Sequence, residues 1–265
     1  RAEVAGNPLA RAYFASQRDR MIAFEARECR RFDRVVAVSE EDAAHFERAY
    51  GVKDAVAVPT GVDTDYFRPG DPGARTPGSL VFVGSMDWAP NEDAVRFFVA
   101  EVLPAIRARV PGATLTVVGR DPGPGIRALA DGTAGVTVTG TVPDVRPYLA
   151  SAAAMVVPLR VGGGTRLKIF EAMAAGTPVI STTIGAEGLP LTPGDHLLIG
   201  DSSDQLARAA IRLLQDPEAA ARMAAAAAAL VRSRFGWDAA ARAFATVCES
   251  ARSRRNTTST RDFHP

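Results

Sequence analysis

The stretch from Val157 to Ala174 reads VPLRVGGGTRLKIFEAMA. It begins as a buried strand, passes through a glycine turn and continues as a helix. Glycine lets the backbone approach a ligand closely, and the first N–H groups of a helix lie at the positive end of its dipole, so this pattern favours an anion such as phosphate. Arg166 and Lys168 stand in the predicted first turn, where helices prefer acidic residues. The helix start is therefore electrostatically unfavourable until an anion binds.

Outward from this stretch, short apolar runs rich in β-branched residues alternate with amphipathic helical patterns. This alternation predicts β-α-β units, and the continuously apolar runs predict parallel strands that are covered on both faces. We therefore predict an α/β protein with a doubly wound parallel sheet. The predicted strands are 34–38, 55–58, 80–83, 114–118, 136–139, 154–157, 178–181 and 196–199. The predicted helices are 11–31, 40–50, 92–109, 126–130, 145–150, 166–174, 203–215, 217–234 and 238–252. Residues that can cap a helix precede several of them, such as Asn91, Asp144, and Ser202 with Gln205.

The chain is predicted to contain two domains. Proline and glycine concentrate between residues 67 and 78, so this part is predicted to lack regular structure and to link the domains. The part before it holds only two strands, too few for a doubly wound sheet. The predicted organisation is a remnant of an N-terminal domain with the start of the linker (1–68), the linker (69–78), a complete doubly wound domain (79–236), a C-terminal helix that packs back toward the N-terminal part (237–253) and a disordered tail (254–265).

The composition excludes several classes of protein. The chain has 265 residues, of which 31 are basic and 30 acidic, so it lacks the basic excess that nucleic-acid binding requires. No apolar run reaches the ~18 residues of a membrane span, and no signal-peptide pattern opens the chain. We expect a cytoplasmic protein with no nucleic-acid partner.

The cysteines and histidines predict no metal site. Cys29 and Cys248 lie near opposite ends of the chain, without the spacing of a zinc site or of a disulfide framework. His45, His196 and His264 are equally scattered and build neither a catalytic triad nor a metal site. We therefore expect no metal ion.

The loops that follow the predicted strands carry candidate ligand contacts, since ligands of doubly wound sheets bind beyond the carboxyl ends of the strands. Gly84 and Ser85 follow the first strand of the main domain, without the G-x-G-x-x-G pattern of a NAD-binding turn. Arg120 follows the second strand and is a candidate phosphate contact, although turn chemistry alone also explains its loop. Thr141 and Val142 follow the third strand, where backbone groups could face a nucleotide base.

Glu171 lies one turn into the helix of the opening stretch and has two interpretations. Its carboxylate could accept two hydroxyl hydrogen bonds, as a ribose diol offers. It could instead be a surface glutamate paired with Lys168, three residues earlier, which is a common and weak arrangement. The spacing does not decide between them.

Several short motifs follow one another along nearly the whole chain. They are VVAVS (35–39), VPTGVD (58–63), FVG (82–84), VVG (117–119), TGTV (139–142), VP (157–158) and EAMAAGTPVI (171–180). Together they resemble the retaining glycosyltransferases of family 4, which have the GT-B fold of two facing Rossmann-like domains, and the form GGGTRLKIxEAMA resembles a bacterial subgroup of that family. The resemblance implies a complete donor-binding domain with the tail of the acceptor-side domain.

The resemblance implies roles for particular residues. The family carries two glutamates eight positions apart: the second matches Glu171, which would hold the ribose of a nucleotide-sugar donor, and the first would fall at Gly163, which has no carboxylate. The Arg and Lys that usually follow the first strand are also missing. We therefore predict that Arg166 and Lys168 replace them as the diphosphate clamp and are the catalytic residues. The predicted donor-binding residues are Gly84, Ser85, Arg120, Thr141, Val142, Gly162, Gly163, Gly164, Thr165 and Glu171.

The function implied by the resemblance is transfer of a sugar, with retention of configuration, from a nucleoside-diphosphate sugar to a glycan or lipid-linked acceptor. No cofactor is implied, and the expected location is the cytoplasm or the inner face of the membrane, where cell-envelope polysaccharide is made. Two alternatives stay open: a nucleotide-sugar-binding module without catalysis, which the missing first glutamate would permit, and a sugar-nucleotide epimerase on the same fold. The sequence leaves the base, the sugar and the acceptor open.

Overall fold

The computed structural model describes residues 7–162 and 166–259. Within these residues the chain forms two compact units, one of residues 7–59 with 240–259 and the other of residues 60–239. The division falls earlier in the chain than the predicted domain boundary at residue 68.

The smaller unit pairs two short parallel strands with helices. Its N-terminal part contains α1 (Pro8–Cys29), β1 (Val36–Ala37), α2 (Glu40–Tyr50) and β2 (Val56–Ala57). The last helix of the chain, α10 (Trp237–Ser259), contributes its residues from 240 onward. Arg254 of α10 donates a hydrogen bond to Asp54 at 2.8 Å. Because α10 extends to Ser259, residues 254–259 are helical and the prediction of disorder is wrong for them. The rest of the predicted tail, 260–265, lies outside the described residues.

The larger unit is built on one parallel sheet. Its apolar strands are buried because helices cover both faces, and β6 is buried at nearly every position. The strand order is β5-β4-β3-β6-β7-β8, with every neighbouring pair parallel. This is the doubly wound order, so the predicted α/β class is confirmed. The strands are β3 (Thr76–Val83), β4 (Thr114–Val118), β5 (Val136–Gly140), β6 (Ala152–Val157), β7 (Val179–Ser181) and β8 (Leu198–Ile199).

The helices of the larger unit follow the prediction except after β3. The helix predicted over 92–109 begins at Ala89 and contains a π-helical segment at Phe98–Val102. Pro104, which follows that segment, cannot donate the backbone hydrogen bond of a regular helix. No helix in the described part of the chain is long and apolar enough to cross a membrane. The helices are α3 (Ala89–Phe97), α4 (Leu103–Arg107), α5 (Pro124–Gly132), α6 (Arg146–Ser151), α7 (Leu167–Ala174), α8 (Ser203–Gln215) and α9 (Pro217–Arg234).

The predicted linker is partly ordered. A 3-10 turn occupies Pro72–Ala74, and β3 begins at Thr76, inside the range predicted to lack regular structure. The Arg75 side chain donates to the backbone carbonyl of Ala152 at 2.6 Å and to that of Gly176 at 2.5 Å. These long-range hydrogen bonds hold the start of β3 beside β6. They outweigh the tendency of the local proline and glycine residues to prevent regular structure.

Candidate functional site

The strand order places a crevice between β3 and β6. These two strands are neighbours, yet the chain leaves β3 toward β4 and leaves β6 toward β7. The loops that follow them therefore diverge, and in doubly wound sheets ligands bind at such a switch point. The loop after β3 spans residues 84–88. The segment between β6 and α7 runs from residue 158 to residue 166, and its residues 163–165 lie outside the described residues.

Two glycines hold the loops after β3 and β4 against each other. The backbone N–H of Gly84 donates to the carbonyl of Val118 at 3.0 Å, and that of Met86 donates to the carbonyl of Arg120 at 2.9 Å. A Cβ at Gly119 would lie only 1.8 Å from the carbonyl oxygen of Gly84. The absence of a side chain at position 119 is therefore what allows the two loops to pack.

Arg120 lies beside Ser85 and is paired with Asp87. Its Nε donates to Ser85 Oγ at 2.7 Å, and its guanidinium lies 3.4 Å from a carboxylate oxygen of Asp87. Ser85 Oγ in turn donates to Asp87. The Arg120 side chain is 63% exposed. This triad orders the outer side of the β3–α3 loop and leaves Arg120 a weaker phosphate candidate than the sequence suggests.

Asn91 is a site residue that the sequence prediction misplaced. It was predicted to precede the helix as a cap, but α3 begins at Ala89 because Pro90 suits the first turn of a helix, so Asn91 lies inside. It is buried, with only 3% of its surface exposed. Its side-chain Nδ2 donates to the backbone carbonyl of Ser85 at 2.8 Å. The amide is therefore fixed against the β3–α3 loop.

Lys168 reaches across the crevice from α7 to this loop. Its Nζ donates to Asn91 Oδ1 at 2.9 Å and lies 4.6 Å from the centre of the Phe82 ring. A Cβ at Gly84 would stand 2.7 Å from the same Nζ, so glycine at that position leaves room for the ammonium. Burial and, to a smaller extent, the charge of Arg166 lower the pKa of Lys168 to about 8, while Glu171 acts in the opposite direction. The side chain is mainly protonated at pH 7.

Arg166 lies beside the same loop after β3. It immediately precedes α7 rather than standing in its first turn, and it is buried, with 4% of its surface exposed. Its guanidinium carbon lies 5.6 Å from the Trp88 ring. Burial lowers the pKa of Arg166, while the charge of Glu187 raises it. Gly162 has a φ of +127°, and a Cβ there would lie 3.1 Å from the Trp88 ring, so this position requires glycine. Predicted contacts Gly163, Gly164 and Thr165 lie outside the described residues.

Glu171 is half-buried one turn along α7 from Lys168. Burial raises the pKa of its carboxyl group, and the charge of Lys168 lowers it. Within residues 166–259 no ion pair joins Glu171 to Lys168, whose ammonium bonds to Asn91 instead. The surface pair that the spacing allowed is therefore not formed.

Thr141 and Val142 lie after β5, two strands away from β3. Thr141 is exposed, while the Val142 side chain packs against the core. Only the backbone groups of Val142 could therefore face a ligand, as the prediction of base recognition requires. Nearby Asp144 accepts a hydrogen bond from the backbone N–H of Arg146 at 2.9 Å, whereas the N-cap residue of α6 is Val145, so the interpretation of Asp144 as a helix cap is wrong.

Among residues 7–162 and 166–259, no three His, Cys, Asp or Glu side chains are grouped so as to hold a metal ion. The charged groups at the crevice include two cations, Arg166 and Lys168, and the carboxylate of Glu171, and Glu187 acts on Arg166.

Comparison with known proteins identifies the family. Residues 77–216 match the family described as glycosyl transferases group 1, and residues 8–66 match glycosyltransferase family 4. The chain belongs to the group 1 glycosyltransferases. The two matches divide the chain in the same order as the predicted acceptor-side and donor-binding parts.

Relatives of known activity share about a third of the sequence. A GDP-mannose-dependent α-(1-6)-phosphatidylinositol monomannoside mannosyltransferase of Mycobacterium tuberculosis is 33% identical over 78% of this chain and 59% of its own length. A D-inositol 3-phosphate glycosyltransferase of Streptomyces scabiei is 32% identical over 83% of this chain and 54% of its own length. The chain thus spans little more than half the length of these relatives.

Solved structures confirm the fold class, a GT-B type with a Rossmann-like parallel sheet. Sucrose-phosphate synthase of Thermosynechococcus elongatus superposes with a TM-score of 0.71 and 24% identity, over 89% of this chain and 62% of its own. HepE of Anabaena, in complex with UDP and glucose, gives a TM-score of 0.70 and 17% identity over 86% of this chain and 66% of its own.

Proposed function

We propose that the chain binds the donor in a glycosyltransferase that moves a sugar from a nucleoside-diphosphate sugar to a glycan or lipid-linked acceptor. The observation that carries this proposal is the meeting of Lys168 with the β3–α3 loop at the switch point, one helical turn from Glu171. A cation for a diphosphate and a carboxylate for a ribose diol then lie on one helix. The relatives support the proposal, since one is named for its GDP-mannose dependence.

The chemistry that we propose is electrostatic. As the bond between the sugar and the diphosphate breaks, negative charge grows on the leaving phosphate. Lys168 would donate hydrogen bonds to that phosphate and neutralise the charge, with Arg166 adding to the positive potential. Glu171 would accept hydrogen bonds from the ribose hydroxyls and hold the donor in position. These roles require no cofactor, and we propose that the sugar keeps its configuration, as in the family that the motifs resemble.

We also propose a location. A lipid-linked acceptor would place the protein at the inner face of the membrane, where nucleotide sugars are available. The phosphatidylinositol mannoside named for the M. tuberculosis relative is such an acceptor.

The direct test is calorimetric titration of the protein with UDP, GDP and ADP. Saturable binding of one of them, weakened by Lys168→Ala and by Glu171→Ala, would support the donor site and identify the base. Absence of binding by all three would contradict the proposal. Transfer is then tested with the full-length enzyme and the corresponding nucleotide sugars, because a binding module without catalysis would bind the donor and yield no product.

Glu171→Gln is expected to separate ligand binding from stability. The half-buried carboxyl group of Glu171 has a raised pKa, so the folded state disfavours the ionised form. The contribution of Glu171 to the free energy of unfolding therefore falls as the pH rises through that pKa. The neutral variant should therefore be at least as stable as the wild type at pH 7, while its affinity for the nucleoside diphosphate falls about tenfold through the weakened ribose contact.

Urea unfolding at pH 7 and calorimetry measure the two effects. Glu218→Gln, at an exposed position in the first turn of α9, is the matched control and should leave affinity unchanged. A Glu171→Gln variant that loses stability and keeps its affinity would indicate a structural role and remove the ribose assignment.

A further inference from the structure

Asn91 accepts the hydrogen bond of Lys168 and is itself held in place by two further hydrogen bonds. Its backbone N–H donates to the carbonyl of Trp88 at 2.9 Å within the first turn of α3. Its side-chain Nδ2 donates to the carbonyl of Ser85 at 2.8 Å, and its Oδ1 accepts from Lys168 at 2.9 Å. The orientation of the amide is therefore determined, because a backbone carbonyl requires the NH₂ group and an ammonium requires the oxygen.

A neutral partner for Lys168 has a particular consequence. The ammonium has three N–H donors, and within residues 7–162 and 166–259 Asn91 is its one acceptor, so two donors are left for a ligand. A carboxylate partner would hold the ammonium equally well but would cancel its charge. The nearest carboxylate on the same helix is Glu171, three residues further on, where a lysine can form an ion pair. The bond to Asn91 keeps the ammonium on the side of the β3–α3 loop and leaves its charge for an anion.

We propose that Asn91 is a positioning residue, which ties Lys168 to the β3–α3 loop as a charged and correctly placed donor for the diphosphate. The inference rests on the proposed donor site. It also explains how the β3–α3 loop, which has no cation of its own, can contribute to a diphosphate site. The carbonyl of Ser85 in the loop accepts a hydrogen bond from Asn91, and Asn91 in turn accepts one from Lys168 of α7, which supplies the positive charge.

The groups around Lys168 determine how the inference can be tested. Arg166 lowers the pKa of Lys168 and Glu171 raises it. From β3 and α3 the ammonium faces uncharged groups, the Phe82 ring and the Asn91 amide. Since the amide oxygen stabilises the protonated amine, its removal should lower the pH at which Lys168 loses its proton. A carboxylate in its place should raise that pH.

The experiment compares Asn91→Ala and Asn91→Asp with the wild type. Affinities for the best-bound nucleoside diphosphate and for the matching monophosphate are measured by calorimetry from pH 6.5 to 9.5. At pH 7 both variants should bind the diphosphate about tenfold more weakly, with a smaller loss for the monophosphate. The pH midpoint above which diphosphate affinity declines should move down in Asn91→Ala and up in Asn91→Asp.

The matched control is Asp216→Ala, which removes the cap of α9 at the opposite edge of the sheet and should change neither affinity nor midpoint. If Asn91→Ala fails to fold, the nearly isosteric Asn91→Asp carries the test. An unchanged midpoint in the folded variants, or equal losses for diphosphate and monophosphate, would overturn the inference. A wild type that binds no diphosphate would instead overturn the donor site itself.

Discussion

Lys168→Ala is expected to lower the affinity for the nucleoside diphosphate about 10-fold to 100-fold and to lower the transfer rate of the full-length enzyme about 10²-fold to 10³-fold. The ammonium lies at the switch point, and among the described residues its hydrogen-bond acceptor is the neutral amide of Asn91, so its charge is available to the leaving phosphate. Its loss removes a charge-assisted hydrogen bond from the bound donor and a larger contribution from the transition state, where the phosphate charge is greater.

The pH dependence gives this prediction a second readout. The pKa of Lys168 in the free protein is about 8, so diphosphate affinity should decline as the pH rises above 8, where the phosphate itself is already fully ionised. Lys168→Ala should abolish this decline. The control is Lys53→Ala, which removes an exposed lysine of the smaller unit and should have no effect. Equal affinities and equal pH profiles for Lys168→Ala and the wild type would exclude Lys168 from the site.

Gly119→Ala is expected to lower the free energy of unfolding by about 3 kcal/mol or more and to abolish nucleotide binding. The new Cβ would lie 1.8 Å from the carbonyl oxygen of Gly84 and 2.8 Å from its carbonyl carbon. Both are backbone atoms in the loop against which Lys168 and Asn91 pack. The loop must therefore move as a whole, and the crevice is displaced together with it.

Gly112→Ala is the matched control for this substitution. A Cβ at position 112 would have no heavy atom within 4 Å, so the unfolding free energy should stay within about 0.5 kcal/mol of the wild type. Urea unfolding followed by circular dichroism measures both variants. If Gly119→Ala is as stable as Gly112→Ala and binds nucleotide normally, the loops after β3 and β4 do not pack as described.

The sheet could be predicted from the sequence because its strands are apolar runs between strong helix signals. Each of the eight predicted strands overlaps an observed one, and the capping box predicted at Ser202 and Gln205 is present in α8. The prediction that Arg166 and Lys168 replace the cations missing after the first strand was made from the family resemblance. The start of β3 could not be predicted, because it depends on the hydrogen bonds of Arg75, which join residues far apart in the chain.

The site was predicted less completely because its decisive contact joins two distant segments. Asn91 was interpreted as a cap, although Pro90 is the stronger signal and places the helix start earlier. Local spacing also offered Glu171 as the partner of Lys168, whereas the structure selects Asn91, 77 residues earlier in the chain. The contact between Lys168 and Asn91 outweighs the weak pairing of Lys168 with Glu171 within α7. No sequence pattern indicates a contact between residues so far apart in the chain.

Because the chain contains so few lysines, a reagent that modifies amines can be used to probe the crevice at Lys168. Lys168 is one of only two lysines, the other being exposed Lys53, against a background of arginine. At mildly alkaline pH a substantial fraction of the Lys168 amine is unprotonated and nucleophilic, because its pKa is about 8. An amine-specific reagent followed by peptide mass analysis would thus report occupancy of the crevice at one residue, with Lys53 as the internal reference in the same sample.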